Sequence, residues 1–100
     1  MRIARITGRV SASVKAGQLT GRKMLLADYV DAGGNVLEPA AVVTDTCGAG
    51  PGDVVLVATG SAARIPAGAS GVPTDATAVA VIDQVSVGAE DVDLARMANR

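Results

Sequence analysis

A chain that makes and breaks covalent bonds needs a nucleophile and a base, and this one is poorly supplied with both. It has no histidine, which removes the commonest general base near neutral pH and the commonest metal ligand. Its one cysteine is Cys47. That thiol has no base near it in the sequence, and a lone free cysteine usually serves as a small buried apolar side chain. A metal would have to be held by carboxylates alone, and Asp28 and Asp31 lack the regular spacing of a calcium loop. No metal and no cofactor is expected. Gly48-Ala49-Gly50-Pro51-Gly52 has the glycine density of a phosphate cradle. The Lys-Ser/Thr pair that completes a P-loop is missing, however, and an apolar strand follows where a helix is needed. Glycine supplies positive φ and proline fixes φ, so the stretch is expected to be a tight, pre-shaped turn between strands. Nothing here argues for an enzyme.

Binding is the next class to weigh. Arg2, Arg5, Arg9, Lys15, Arg22 and Lys23 all precede the first acid, Asp28, and the remainder of the chain is acidic in balance, for a net charge of -1. Such a run is either a solvated strand face or a face for a partner. Single-stranded nucleic acid is held by stacking bases on aromatic rings, and Tyr29 is the sole aromatic. Basic residues alone would give weak, salt-sensitive attraction. A nucleic-acid-binding barrel is therefore the rival reading, and no nucleic acid partner is expected.

The elements that position these residues must come from one small domain of 100 residues. A chain of this size buries about 60–65% of the surface its unfolded form exposes. Its apolar share is carried by Ala, Val, Leu and Ile, without Phe or Trp, so each buried side chain contributes little. Association with further copies is one of the few remedies for so thin a core. Arg2, Arg5 and Arg9 interrupt Ile3, Ile6 and Val10, so no signal-peptide core is present, and no run approaches the ~20 apolar residues of a membrane span. A soluble cytoplasmic protein with no membrane partner is expected.

Period-two alternation predicts a long strand over residues 2–14, with Gly8 marking a bend or bulge. A second strand is expected over 23–31, closed by the turn Asp31-Ala32-Gly33-Gly34-Asn35. Val36 and Leu37 begin a return that Glu38-Pro39 breaks, and a third strand runs over 41–46. After the glycine turn, residues 54–59 form a fourth. Val54 to Ala58 is apolar without alternation, so both its faces should be covered, the second by another subunit. Gly60 to Arg64 reads as one helical turn with Ser61 as N-cap and Pro66 beyond its end. A fifth strand is expected over 79–87, where Asp83 either sits at a rim or finds a donor. The tail, 88–100, has acids early and Arg96 and Arg100 late, which suits a frayed helix. The expected fold is mainly all-β: a small five-stranded OB-like β-barrel over 1–87 with one or two short helical turns, and a C-terminal tail over 88–100 that is partly helical or disordered.

Several stretches, taken in order, resemble the pentameric vertex proteins of bacterial microcompartments and carboxysomes, the EutN/CcmL family. They are Met1 to Val10; Leu19-Thr20-Gly21-Arg22-Lys23-Met24-Leu25-Leu26; Asp45 to Val57; Gly60-Ser61-Ala62-Ala63-Arg64; and Pro73 to Ala76 into Ala80 to Asp83. The resemblance covers about residues 1–87, and Cys47 stands where the family more often has Val. It implies an OB-like barrel, a homopentamer without catalysis, and a place at the five-fold corners of a shell whose facets are hexameric proteins. A ring needs one patch docking on a different patch of the next copy. On that basis Gly48, Ala49, Gly50, Gly52, Val55, Val57, Gly60, Ser61 and Arg64 are expected at the subunit contact and near the five-fold axis. Arg64 is expected to hydrogen-bond across the contact. Arg5, Arg9 and Arg22 are expected on the face that meets the hexameric partners.

Overall fold

Ala4 and Ile6 point one way and Ile3 and Arg5 the other, and that alternation makes β1 (Arg2–Val10) a two-faced strand. In the computed structural model, which describes residues 1–13, 15–66 and 69–94, it pairs with β2 (Met24–Val30). The ladder continues through β3 (Val36–Asp45), β4 (Val54–Thr59) and β5 (Ala76–Val81). The five close into a barrel in the order β1-β2-β3-β5-β4. All contacts are antiparallel except the short parallel one between β3 and β5. Following partners round from Val10 leads to Met24, Thr44, Thr77 and Ala58, whose neighbour Val57 pairs with Arg2. The circuit returns to β1 near its opposite end, so the strands are strongly staggered and tilted, as a narrow closed barrel requires. The register shift between Ile6 and Gly8 supplies the bulge expected at that glycine.

The interior is filled by Ala4, Ile6, Leu25, Ala27, Tyr29, Val43, Ala49, Val55, Val57, Ala76 and Ala78. Alanines dominate because the bore of a five-stranded barrel is narrow. Leu25 is among the largest side chains fully enclosed there. Leu25→Ala is expected to cost about 3 kcal/mol, transfer plus cavity, measured by urea unfolding against the parent chain at matched concentration.

Three expectations are corrected. First, β3 is one ten-residue strand and is not broken at Glu38-Pro39. The register slips opposite Tyr29, and Ala40 takes a left-handed φ of 57°. The Ala40 N–H, left without a ladder partner, donates to Asp28 Oδ1 at 2.9 Å. Pro39 is tolerated because it lies at this irregularity on a free strand edge. Second, the barrel strands are shorter than alternation suggested: β1 stops at Val10, and β5 spans Ala76–Val81, leaving Asp83 exposed beyond its end. A two-stranded ribbon follows, β6 (Ser86–Val87) with β7 (Glu90–Asp91), turning at Gly88 with φ 63°. Asp91 Oδ1 pins it by accepting from Gln84 Nε2 at 2.9 Å and Ser86 Oγ at 2.7 Å. The division drawn at residue 88 falls inside that turn, and the first part of the tail is strand rather than helix. The helix expected further on lies, from residue 95, outside the described residues.

Third, at its Val54 end the outer face of β4 finds its cover within the chain, while Leu56 stays half-buried. Val54 and Val30 form a second small apolar cluster with Ile3, Ile82, Val92 and Leu94. The Ile82 N–H donates to the Val54 carbonyl at 2.8 Å, and the Val92 N–H to the Val85 carbonyl at 2.7 Å. At Val54 the unalternating run over 54–58 therefore lies between the barrel interior and the chain's own tail.

Candidate assembly surface

The turn between β3 and β4 is held by two carboxylates that act as templates for backbone amides. Asp45 Oδ1 accepts the Cys47 N–H at 3.1 Å and the Cys47 thiol at 3.3 Å, and Oδ2 accepts the Ala49 N–H at 3.0 Å. Asp53 Oδ2 accepts the Gly50 N–H at 2.9 Å. Lys23 bridges from β2's approach, pairing with Asp45 at 3.2 Å and donating to the Ala49 carbonyl. Gly48 and Gly52 sit at φ 77° and 92°, the left-handed region that side chains resist. The Gly52 N–H donates to the Ile6 carbonyl at 3.0 Å and the Ile6 N–H to the Asp53 carbonyl at 2.9 Å, which stitches the turn to β1. Burial pushes the Asp45 carboxyl up, but the Cys47 amide, its thiol and Lys23 pull further the other way and hold it below its ordinary value.

The same arrangement disarms Cys47. Burial, and then the adjacent Asp45 carboxylate, push the thiol up to about 11. At pH 8 the folded chain is therefore expected to react with iodoacetamide about a hundredfold more slowly than the denatured chain, as followed by mass spectrometry. Cys47→Val is expected to change stability by less than about 1 kcal/mol, since it exchanges one small apolar side chain for another.

The expected interface residues fall into distinct places. Gly48 and Gly52 are exposed on the turn, Gly50 is half-buried, and Ala49 is enclosed in the barrel. Val55 and Val57 face inward and are fully enclosed within the protomer; the outward residues of β4 are Val54, Leu56 and Ala58. Gly60, Ser61 and Arg64 are exposed on a 3-10 turn over Gly60–Arg64. Ser61 lies within this turn and does not cap it: the capping position is Thr59, without a side-chain bond. Arg64 Nη1 donates to the Thr74 carbonyl of its own chain at 3.3 Å. The glycine turn and the 3-10 turn are not brought together. They stand at opposite ends of β4, whose six residues span about 20 Å.

The basic residues also divide. Arg5 is buried and paired with Asp28 at 2.6 Å. The Ala40 amide first, and then Arg5, hold that carboxyl below its ordinary value against burial. Arg9 and Arg22 are exposed; Arg9 reaches the glycine turn, where a methyl group on Gly50 would lie 3.9 Å from its Nη2. Arg2 lies over the Tyr29 ring at 3.8 Å and pairs with Glu38 at 3.6 Å, closing one mouth of the barrel. Tyr29 is buried beneath it, so its ring offers no open platform for a base. Sequence reasoning missed the exposed apolar side chains of Leu37, Val42 and Ile65. Hydrophobic pattern marks a residue as apolar but does not say that the fold leaves it uncovered.

The family model described as ethanolamine utilisation protein EutN/carboxysome matches residues 1–83. The carboxysome shell vertex protein CcmL of Thermosynechococcus vestitus is 44% identical over 86 residues, covering 86% of this chain and 87% of that protein. The solved structure of CcmL from Gloeobacter violaceus superposes with a TM-score of 0.84 at 40% identity, covering 91% of this chain and 94% of that one. The GrpN pentameric microcompartment shell protein of Rhodospirillum rubrum superposes with a TM-score of 0.74 at 31% identity, covering 87% and 98%.

Proposed function

We propose, from the premise that this chain belongs to the EutN/CcmL family of microcompartment shell proteins, that five copies close into a ring and cap the five-fold vertices of a polyhedral shell. The observation that carries the reading is the extent of the family match: residues 1–83 take in the whole barrel and both turns. The site chemistry is consistent with it. Burial and the Asp45 carboxylate hold the one thiol in its unreactive protonated form. The protein's role is then mechanical. A hexagonal layer is flat, and five-fold units introduce the curvature that lets it close. The shell it belongs to is a compartment of the bacterial cytoplasm.

In this reading the 3-10 turn over Gly60–Arg64 lies at the contact between copies. Small residues there let two backbones approach closely, and Arg64 turns from its intrachain bond toward the neighbouring copy. Arg9 and Arg22, exposed at the far end of the barrel, face the hexameric shell proteins. Co-expression with hexameric shell proteins tests the function. Closed polyhedra with the parent chain, and open or tubular assemblies without it, are expected. Closed shells formed equally well in its absence would reject the vertex role.

A further inference from the structure

Among the described residues, β3 has a long stretch paired on one side only. β3 is bonded to β2 along its length, but to β5 through Thr44–Thr77 and Asp45–Ala78 alone. Residues 36–43 therefore present an open edge, about 25 Å long at the usual rise per residue. Val36, Leu37 and Val42 on this segment are exposed, Leu37 by 61%. An edge of this kind invites another chain. The Pro39–Ala40 irregularity interrupts its hydrogen-bonding row, so it is suited to receive packed side chains rather than a further strand.

A second uncovered feature has matching properties. The 3-10 turn runs into Ile65, which is 80% exposed, with Ser61 and Ala62 exposed around it. This is a small apolar knob with little bulk to obstruct its approach. The charges are opposite. Glu38 lies in the middle of the open edge, half exposed, with a long 3.6 Å contact to Arg2. Arg64 lies beside the knob, exposed, with one long hydrogen bond to the Thr74 carbonyl. Neither charge is tightly held within its own chain. Every copy carries both features, and a closed ring requires two different, complementary patches on each copy.

We propose that the Gly60–Ile65 knob of one copy seats on the residue 36–43 edge of the next, with Ile65 lying between Leu37 and Val42 and Arg64 paired with Glu38. This rests on the ring proposed above and names both halves of its contact. Opposite charges fix the register and exclude the reversed orientation, while the apolar side chains supply the burial.

Charge reversal tests the pairing. Native mass spectrometry and sedimentation equilibrium would compare the parent chain with Glu38→Arg, Arg64→Glu and the double variant. Each single reversal is expected to raise the concentration at which the ring dissociates tenfold or more, and the double variant to recover most of that loss. Ile65→Ser provides an independent arm, because a side chain so exposed in the protomer can be cut back without disturbing its fold. It too should weaken the ring at least tenfold, with circular dichroism unchanged. A parent ring with all three single variants equally tight would overturn this contact and leave the ring standing. Single reversals that dissociate the ring without rescue in the double variant would overturn the Glu38–Arg64 pairing. A parent chain that is itself monomeric would sink the ring, and this contact with it.

Discussion

Asp45→Ala is expected to lower the unfolding free energy by about 3 kcal/mol, and Asp45→Asn by less, in urea titrations at matched protein concentration. The Asp45 side chain is 2% exposed and serves the Cys47 amide, the Cys47 thiol, the Ala49 amide and the Lys23 ammonium at once. Alanine leaves two turn amides without their acceptor, and each unsatisfied buried donor costs roughly 1–3 kcal/mol. Asparagine keeps one acceptor oxygen, so part of the network survives. The turn is built from glycines at positive φ, which lose more conformational freedom on folding than other residues do. The carboxylate is what makes that ordering favourable. If Asp45→Ala unfolded with the parent's midpoint, the turn would be set by its glycines and proline alone.

Asp28→Ala is expected to be as damaging, at about 3 kcal/mol, or a fall in Tm of roughly 15 °C for a domain of this size. Arg5 and Asp28 form a short ion pair on the outer side of β1 and β2, with side chains 6% and 16% exposed. Removing the acid takes from a buried guanidinium its short ion-pair partner, which costs more than the pair itself contributes. It also takes away the acceptor of the Ala40 amide, the group that allows β3 to pass through its irregularity unbroken. Replacing both partners with apolar residues, Arg5→Met with Asp28→Leu, is expected to recover much of the loss. An additive double variant would show that the two side chains act separately.

The two carboxylates also set the acid limb of stability. Both titrate below their ordinary value of 3.8 in the folded chain. The unfolded chain therefore binds protons first as pH falls. The stabilisation from each is fully present above about pH 5 and is lost as pH drops through the folded values, below about pH 4. Thermal unfolding from pH 7 to pH 3 is expected to show a flat Tm down to about pH 5 and a steep fall thereafter. In Asp28→Asn the fall should be shallower.

Much of the barrel was legible because its causes are local. The run Val54–Thr59 is apolar and bounded by a turn on each side, and β4 occupies the expected span. Gly8 has no side chain to oppose a bulge, and the register slips beside it. What failed to show depended on long-range partners. Pro39 reads as a strand breaker until Asp28, eleven residues earlier, is seen to take the next amide. Arg5 reads as a surface charge in an alternating strand until Asp28 arrives on the adjacent one. The apolar character of Val54 fitted burial but could not identify what covers it, and the cover comes from Ile82, Val92 and Leu94. The glycine turn and the Gly60–Arg64 turn were legible as turns. The exposed edge of β3 was not, since it depends on where the pairing between β3 and β5 ends, after two residues.

The mass of the assembled chain in solution tests the account most directly. Native mass spectrometry at micromolar concentration is expected to show one dominant species of five times the 9.9 kDa chain, with subunits lost one at a time on activation. A dominant 9.9 kDa species, folded by circular dichroism under the same conditions, would contradict it.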